Sequence, residues 1–256
     1  TQGYSSAASD VYKRQGLFME REKVFLDITS SMNDVNEEEL RFDKPLLDIK
    51  DIERKKSYEI FKRIIDFFLA CIGIIFCSPV LVWIAYRIHK DEPSCSVIFS
   101  QKRVGRNGKP FTMYKFRSMC VDAEEQLTEL LDKNEIKGAM FKIKEDPRIT
   151  EFGKFIRRTS LDELPQLINV IKGDMSLIGP RPPLQREVAE YTQYDMQRLL
   201  VKPGCSGVWQ VSGRNDVHFD EMVVFDIEYI KTRSTRNDLS LIIKTIKVML
   251  KSSGAY

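Results

Sequence analysis

Two adjacent carboxylates, Asp162 and Glu163, stand in the stretch TSLDELPQL, residues 159–167. Arg157 and Arg158 precede them, and GDMSLIGPRPP, residues 173–183, follows. Two readings fit these residue types. In one, Ser160 and Glu163 form an S-x-x-E capping box, each side chain satisfying the other's orphan backbone N–H. In the other, the pair is chemical. Neighbouring helix residues point roughly 100° apart, so the acids do not face each other, yet they can share one cleft. The first-turn amides and the positive end of the helix dipole favour anions there. That keeps Asp162 ionised, as a carboxylate nucleophile or a metal ligand must be. Arg157, Arg158 and Arg181 are permanently charged forks suited to phosphate oxygens. Arg181 lies between Pro180 and Pro182, which restrict its backbone and pre-set its direction. Lys115 and Arg117, at the end of a predicted hairpin, add positive charge.

The surroundings exclude other chemistries. With 256 residues, 43% hydrophobic and 30% charged, the chain can bury a core. A net charge of +3 does not imply nucleic-acid binding. The five cysteines are odd in number and form no C-x-x-C pair, which argues for a reduced compartment. Only two histidines occur, far apart, so a zinc site and a Ser-His-Asp triad lack imidazole. No Walker A loop or GxGxxG is present.

The elements that must position the acids can be read in order. Residues 1–15 read as a scar, and 1–57 as a poorly packed, acid-rich, partly disordered extension with one short helix. Residues 58–90 carry an uncharged run, Phe67 to Tyr86, about the 20 residues a bilayer requires. Ser78-Pro79 falls inside it, and proline removes a helical N–H. Both flanks are basic, which favours both ends on the cytoplasmic side. The expectation is a helix broken at Ser78-Pro79 that dips into one leaflet and returns. Ser78 or a neighbouring element would satisfy the backbone groups freed by Pro79; a kinked single span is the alternative. Asp66 near the entrance is given Arg63 as partner. In residues 91–256, Asn107-Gly108 predicts a type I′ hairpin. Helices are predicted over 119–133, 161–171 (closed by Gly173), 186–200 and 219–232, with 201–215 loop and a short strand at best; Pro165 also allows the second of these to begin a few residues later, leaving the acids on the entering loop. The tail SLIIKTIKVMLK places Lys244, Lys247 and Lys251 on one helical face, suiting a membrane surface or ordinary docking. The fold class is α+β, mainly helical: a re-entrant membrane helix joined to a cytoplasmic catalytic domain with a small β-hairpin and interfacial amphipathic helices.

Several blocks carry a resemblance: KRIID with the later Ser78-Pro79, RVGRNGKPFTMYKFRSM, RRTSLDELPQLINVIKGDMSLIGPRP, KPGCSGVWQVSGRN, FDIEYI and the terminal GAY. The chain resembles the bacterial sugar transferases, monotopic polyprenyl-phosphate phosphoglycosyl transferases, over roughly residues 58–256. It is most similar to the catalytic domain of exopolysaccharide and O-antigen initiating enzymes. A minimal form without extra N-terminal transmembrane helices is expected. The resemblance implies a ping-pong reaction between a UDP-sugar and polyprenyl (undecaprenyl) phosphate. Asp162 would be the nucleophile and would hold Mg²⁺; Glu163 would assist as base or outer ligand. Arg157 and Pro180-Arg181-Pro182 would contact phosphate or nucleotide, and Asp226 would be a further functional acid. The resemblance also implies the bacterial inner membrane, a catalytic domain on its cytoplasmic face, no nucleic acid, and a homodimer as a candidate assembly. The alternative from another class is a non-catalytic module that binds anionic lipid or scaffolds a glycan-assembly complex.

Overall fold

The computed structural model describes residues 46–48, 50, 52, 54–123, 125–126, 143, 146–212 and 219–251. Helix α1 spans Lys56–Asp91, 36 residues, or roughly 54 Å at the standard rise. Among the described residues it is the helix long and apolar enough to cross a membrane. The expected break at Ser78-Pro79 does not interrupt it: helix α1 runs through Pro79. The reason is local. Proline leaves the Ile75 carbonyl without its usual N–H partner, and the Ser78 hydroxyl donates to that carbonyl at 2.8 Å.

One stripe of α1 faces protein. Asp66, Ala70, Ile84 and Ile88 are buried, and Gly73 lies against Leu167. The remaining surface exposes Phe68, Ile72, Ile75, Phe76, Val82, Trp83 and Tyr86. Contacts thus occur in both halves of the helix, before and after Pro79.

Strands β1 (Ile98–Val104) and β2 (Pro110–Phe116) form an antiparallel hairpin with Ile98 opposite Phe116. Its turn holds Asn107 at φ 57° and Gly108 at φ 75°, the positive angles expected of the Asn-Gly pair. Next come α2 (Glu151–Arg158) and α3 (Gln166–Lys172), the latter ended by Gly173 at φ 92°. Strand β3 (Ser176–Ile178) pairs in parallel with β4 (Gly204–Ser206). Between them lie α4 (Gln185–Val188), α5 (Gln193–Met196) and a 3₁₀ turn, Gln197–Leu200, instead of one helix over 186–200. Thr192 caps the second start: its hydroxyl accepts from the Asp195 N–H, and Asp195 accepts from the Thr192 N–H. Helix α6 (Val208–Ser212) occupies a stretch expected to be loop. Helix α7 (Phe219–Thr232) has the expected bounds, and α8 (Thr235–Lys251) begins earlier than the tail pattern indicated.

Three apolar clusters hold this together. The largest joins Ile178, Leu199, Val223, Ile227, Ile230 and Leu241 with Leu47 and Ile52. Residues 47 and 52 are therefore packed, unlike the loose extension expected there; the rest of that expectation falls on 1–45, outside the described residues. The other two fasten α1 to the domain. Ala70 meets Phe111, Met113, Val170 and Met175. Ile84 and Ile88 meet Phe116 and Ile156. The helix predicted over 119–133 lies largely outside the described residues; its start is a β-bridge, Met119 to Ile149, and a turn.

Candidate active site

The acid pair sits on a 3₁₀ turn, Leu161–Glu163, between α2 and α3. Pro165 explains why. It has no N–H to give the Leu161 carbonyl, and the Leu164 N–H takes that carbonyl instead, one residue short of α-helical spacing. The capping box is not formed. Ser160 adopts the left-handed region at φ 56° and makes no side-chain cap. Glu163 instead forms an ion pair with Lys115, Oε1 to Nζ 2.6 Å.

Asp162 is 7% exposed. Burial raises its pKa to about 6, the Glu163 charge adds to this, and Lys115 and Arg157 pull it down. The result is a carboxylate held among cations yet poorly hydrated. Arg157 is half-buried in the last turn of α2, and Arg158, beside it, is exposed.

Asn169, fully buried on α3, fixes the acid turn against the hairpin. Its Oδ1 accepts the Tyr114 N–H at 3.0 Å, and its Nδ2 donates to the Thr112 carbonyl at 2.7 Å. One amide thus continues the β2 edge and places Lys115 beside Glu163. From the other side, Arg63 of α1 donates through both terminal nitrogens to the Val170 and Ile171 carbonyls that α3 leaves open at its end. Arg63 is therefore not the partner of Asp66. Asp66 instead accepts from Ser176 Oγ at 2.6 Å and lies 3.7 Å from Lys62 Nζ.

The Pro180-Arg181-Pro182 loop is held at nearly every backbone group. The Gly179 N–H donates to Ser206 O, and the Gly204 N–H to Pro180 O, both at 2.9 Å. The Arg181 backbone N–H favours the ionised form of Asp226. Arg198 reaches the Arg181 carbonyl, Arg103 Nη1 the Pro182 carbonyl at 3.0 Å, and the Val104 N–H the Pro183 carbonyl at 2.9 Å. A Cβ on Gly179 would lie 2.6 Å from the Lys202 carbonyl, so glycine is required for this approach. The Arg181 guanidinium stands 3.6 Å from Glu187.

Asp226 is 1% exposed. Its Oδ2 accepts from Arg198 Nε at 2.8 Å and Nη2 at 2.7 Å. Burial raises its carboxyl above the ordinary range against the pull of Arg198. Asp226 thus reaches the loop backbone through Arg198, which it holds while Arg198 donates to the Arg181 carbonyl. Arg117 faces elsewhere, donating to the Ser96 carbonyl and lying over Phe99. Of the residues expected from sequence, Lys115, Arg157, Asp162 and Glu163 come together around one turn. Asp226 and Arg181 form a second group joined to the hairpin by Arg103. Sequence reasoning passed over Arg103, Asn169 and Arg198; a lone asparagine in the apolar stretch LINVI was the available signal for the second.

A divalent cation has limited donors here. Among the described residues no group of three or more His, Cys, Asp or Glu could hold one. Asp162 and Glu163 together offer at most two carboxylates, which fits a hard ion such as Mg²⁺ that keeps waters and takes substrate phosphates.

A family profile described as bacterial sugar transferase matches residues 57–252. The galactosyl transferase CpsE of Streptococcus agalactiae is 50% identical over 202 residues, 78% of this chain and 44% of its own length. The undecaprenyl-phosphate galactose phosphotransferase of Salmonella typhimurium is 46% identical over 215 residues, 82% of this chain and 45% of its own. The exopolysaccharide production protein ExoY of Rhizobium meliloti is 38% identical over 199 residues, 76% of this chain and 88% of its own. The chain thus spans less than half the length of the first two relatives. With the profile covering the acid turn, the proline-flanked Arg181 and helix α1 alike, the chain belongs to the bacterial sugar transferase family.

Proposed function

We propose that the protein transfers a phosphosugar from a UDP-sugar to polyprenyl phosphate in two displacements. The observation that carries this is Asp162, a carboxylate almost removed from water between Lys115 and Arg157. A lipid-binding scaffold has no use for an acid in that position. In the first step an Asp162 oxygen attacks the sugar-bearing phosphorus. The bond from that phosphorus to the bridging oxygen breaks, and UMP leaves with the electron pair. In the second step an oxygen of polyprenyl phosphate attacks the same phosphorus. The aspartyl oxygen–phosphorus bond breaks, restoring the carboxylate and giving the polyprenyl diphosphate sugar. No proton is required in either displacement, so Glu163 orients Lys115 rather than acting as a base. Arg157, Lys115 and Arg181 stabilise charge on the transferring group. Mg²⁺, held by Asp162 with Glu163 beside it, would supply Lewis-acid charge neutralisation of the phosphates.

We place the site on the cytoplasmic face of the inner membrane, with the unbroken α1 lodged in one leaflet while both its halves stay against the domain. Packing supports this: Ala70 before Pro79 and Ile84 after it both bury against the same domain. A full span would carry one of these halves away from it. Exposed Leu239, Ile243 and Ile246 with Lys244 and Lys247 suit α8 to the same membrane surface.

The test is UMP release from a panel of UDP-sugars by detergent-solubilised protein with polyprenyl phosphate. Wild type releases UMP and Asp162→Asn does not; release by the variant at the wild-type rate refutes the nucleophile. Cysteines near positions 56 and 92 should label from the cytoplasmic side alone, and periplasmic labelling of either refutes the topology.

A further inference from the structure

We propose that Arg103 is a positioning residue for phosphate recognition, directing the Arg181 loop and lending it a second, buried positive charge. This rests on the function proposed above. Four arginines are buried among the described residues: Arg103, Arg148, Arg198 and Arg233. Arg148, Arg198 and Arg233 each hold a carboxylate, Asp146 at 2.5 Å, Asp226 at 2.7 Å and Glu59 at 3.2 Å. Arg103 differs. At 8% exposure its guanidinium donates to neutral oxygens, Gln101 Oε1 through Nε and Nη2 at 3.1 and 2.8 Å, and the Pro182 carbonyl through Nη1.

Burying a guanidinium with no carboxylate in contact is costly, and Arg181 nearby adds repulsion. Burial and Arg181 together lower the Arg103 pKa to about 10, opposed by Glu187 and Glu163. A loop that needed only its Pro182 carbonyl satisfied would be served by a neutral donor. A cation there sets a second positive charge against the Arg181 loop, with Glu187 3.6 Å from Arg181. An arriving phosphate anion offsets both. Because Arg103 acts through the loop, it belongs to binding rather than to the displacement.

The phosphate is either the donor's diphosphate or the lipid acceptor's monoester, and the experiment separates them. Arg103→Gln and Arg103→Lys are compared with wild type in UMP binding by calorimetry, in KM for UDP-sugar and polyprenyl phosphate, and in thermal unfolding. Arg103→Gln is expected to weaken UMP binding and raise the UDP-sugar KM about tenfold, with kcat changed less than threefold and unfolding temperature not lowered. Arg103→Lys, which keeps the charge, recovers part of the loss. A raised KM for polyprenyl phosphate alone also supports the proposal and assigns the charge to the acceptor. Unchanged UMP affinity and unchanged KM for both substrates overturn it, whatever happens to stability. Equal weakening in both variants overturns the role of the charge. Wild-type protein that releases no UMP from any UDP-sugar defeats the functional reading itself. Wild-type turnover with an indifferent Arg103→Gln defeats this inference alone.

Discussion

Asp162→Asn should inactivate the protein and make it more stable. Burial lifts the Asp162 pKa from 3.8 to about 6. At about 1.4 kcal/mol per pKa unit, keeping this carboxylate ionised in the fold costs about 3 kcal/mol above pH 6. The sign follows from linkage. Between pH 3.8 and about 6 the folded state binds the proton that the unfolded state has released, so stability falls as pH rises through that window. Below the window the acid is neutral in both states and the cost vanishes. Asparagine carries no charge at any pH. The variant should therefore exceed wild type by about 1–3 kcal/mol at pH 7.5. The two should converge near pH 4. Urea unfolding in detergent at both pH values, followed by tryptophan fluorescence, measures the difference. A variant equal to or less stable than wild type at pH 7.5 refutes the claim that the fold strains to hold this charge. The same titration should appear in catalysis, with UMP release rising as pH passes through about 6 and levelling above it.

Three further outcomes follow from the contacts described. Asp226→Ala strands the buried Arg198 guanidinium and should cost about 3–5 kcal/mol in denaturant unfolding, whereas Asp226→Leu with Arg198→Met should recover most of it. Gly173→Ala forces a side chain into φ 92°, 3.3 Å from Arg63, and should lower stability by about 1–2 kcal/mol in the same assay. Ser78→Ala reopens the Ile75 carbonyl and should cost about 1 kcal/mol, read as a lower unfolding temperature in micelles.

Much of the scaffold was legible because local chemistry decides it. Asn107-Gly108 demands positive φ, Gly173 ends a helix, and the apolar pattern of 219–232 has one helical solution. The need of a freed carbonyl near Pro79 for Ser78 was also readable, although the helix break was not the consequence. Misreadings arose where distant residues decide. Sequence spacing puts Arg63 and Asp66 on one face, but cannot show that α3 presents open carbonyls to the first and Ser176 a hydroxyl to the second. Glu163 suited a capping box until Lys115, brought close by the hairpin, offered a stronger partner. Helix 186–200 failed because Thr192 and Asp195 restart it, a signal present in the sequence but overridden by apolar periodicity. Arg103 was invisible since its acceptor, the Pro182 carbonyl, belongs to a loop 79 residues away.

The polar contacts at the base of α1 also set a timetable for biosynthesis. The Tyr58 hydroxyl donates to Asp238, 180 residues later, at 2.6 Å. Lys62 reaches the same carboxylate at 3.0 Å, and Glu59 pairs with Arg233. Those partners follow the end of α1 at Asp91 by about 145 residues, so at roughly 5–20 residues per second they leave the ribosome on the order of 7–30 s after it does. For that interval the greasy helix has emerged while its ionic moorings are still untranslated. Phe116, which meets Ile84 and Ile88, is made only about 25 residues after α1 ends, so the apolar contacts of the helix precede its ionic ones.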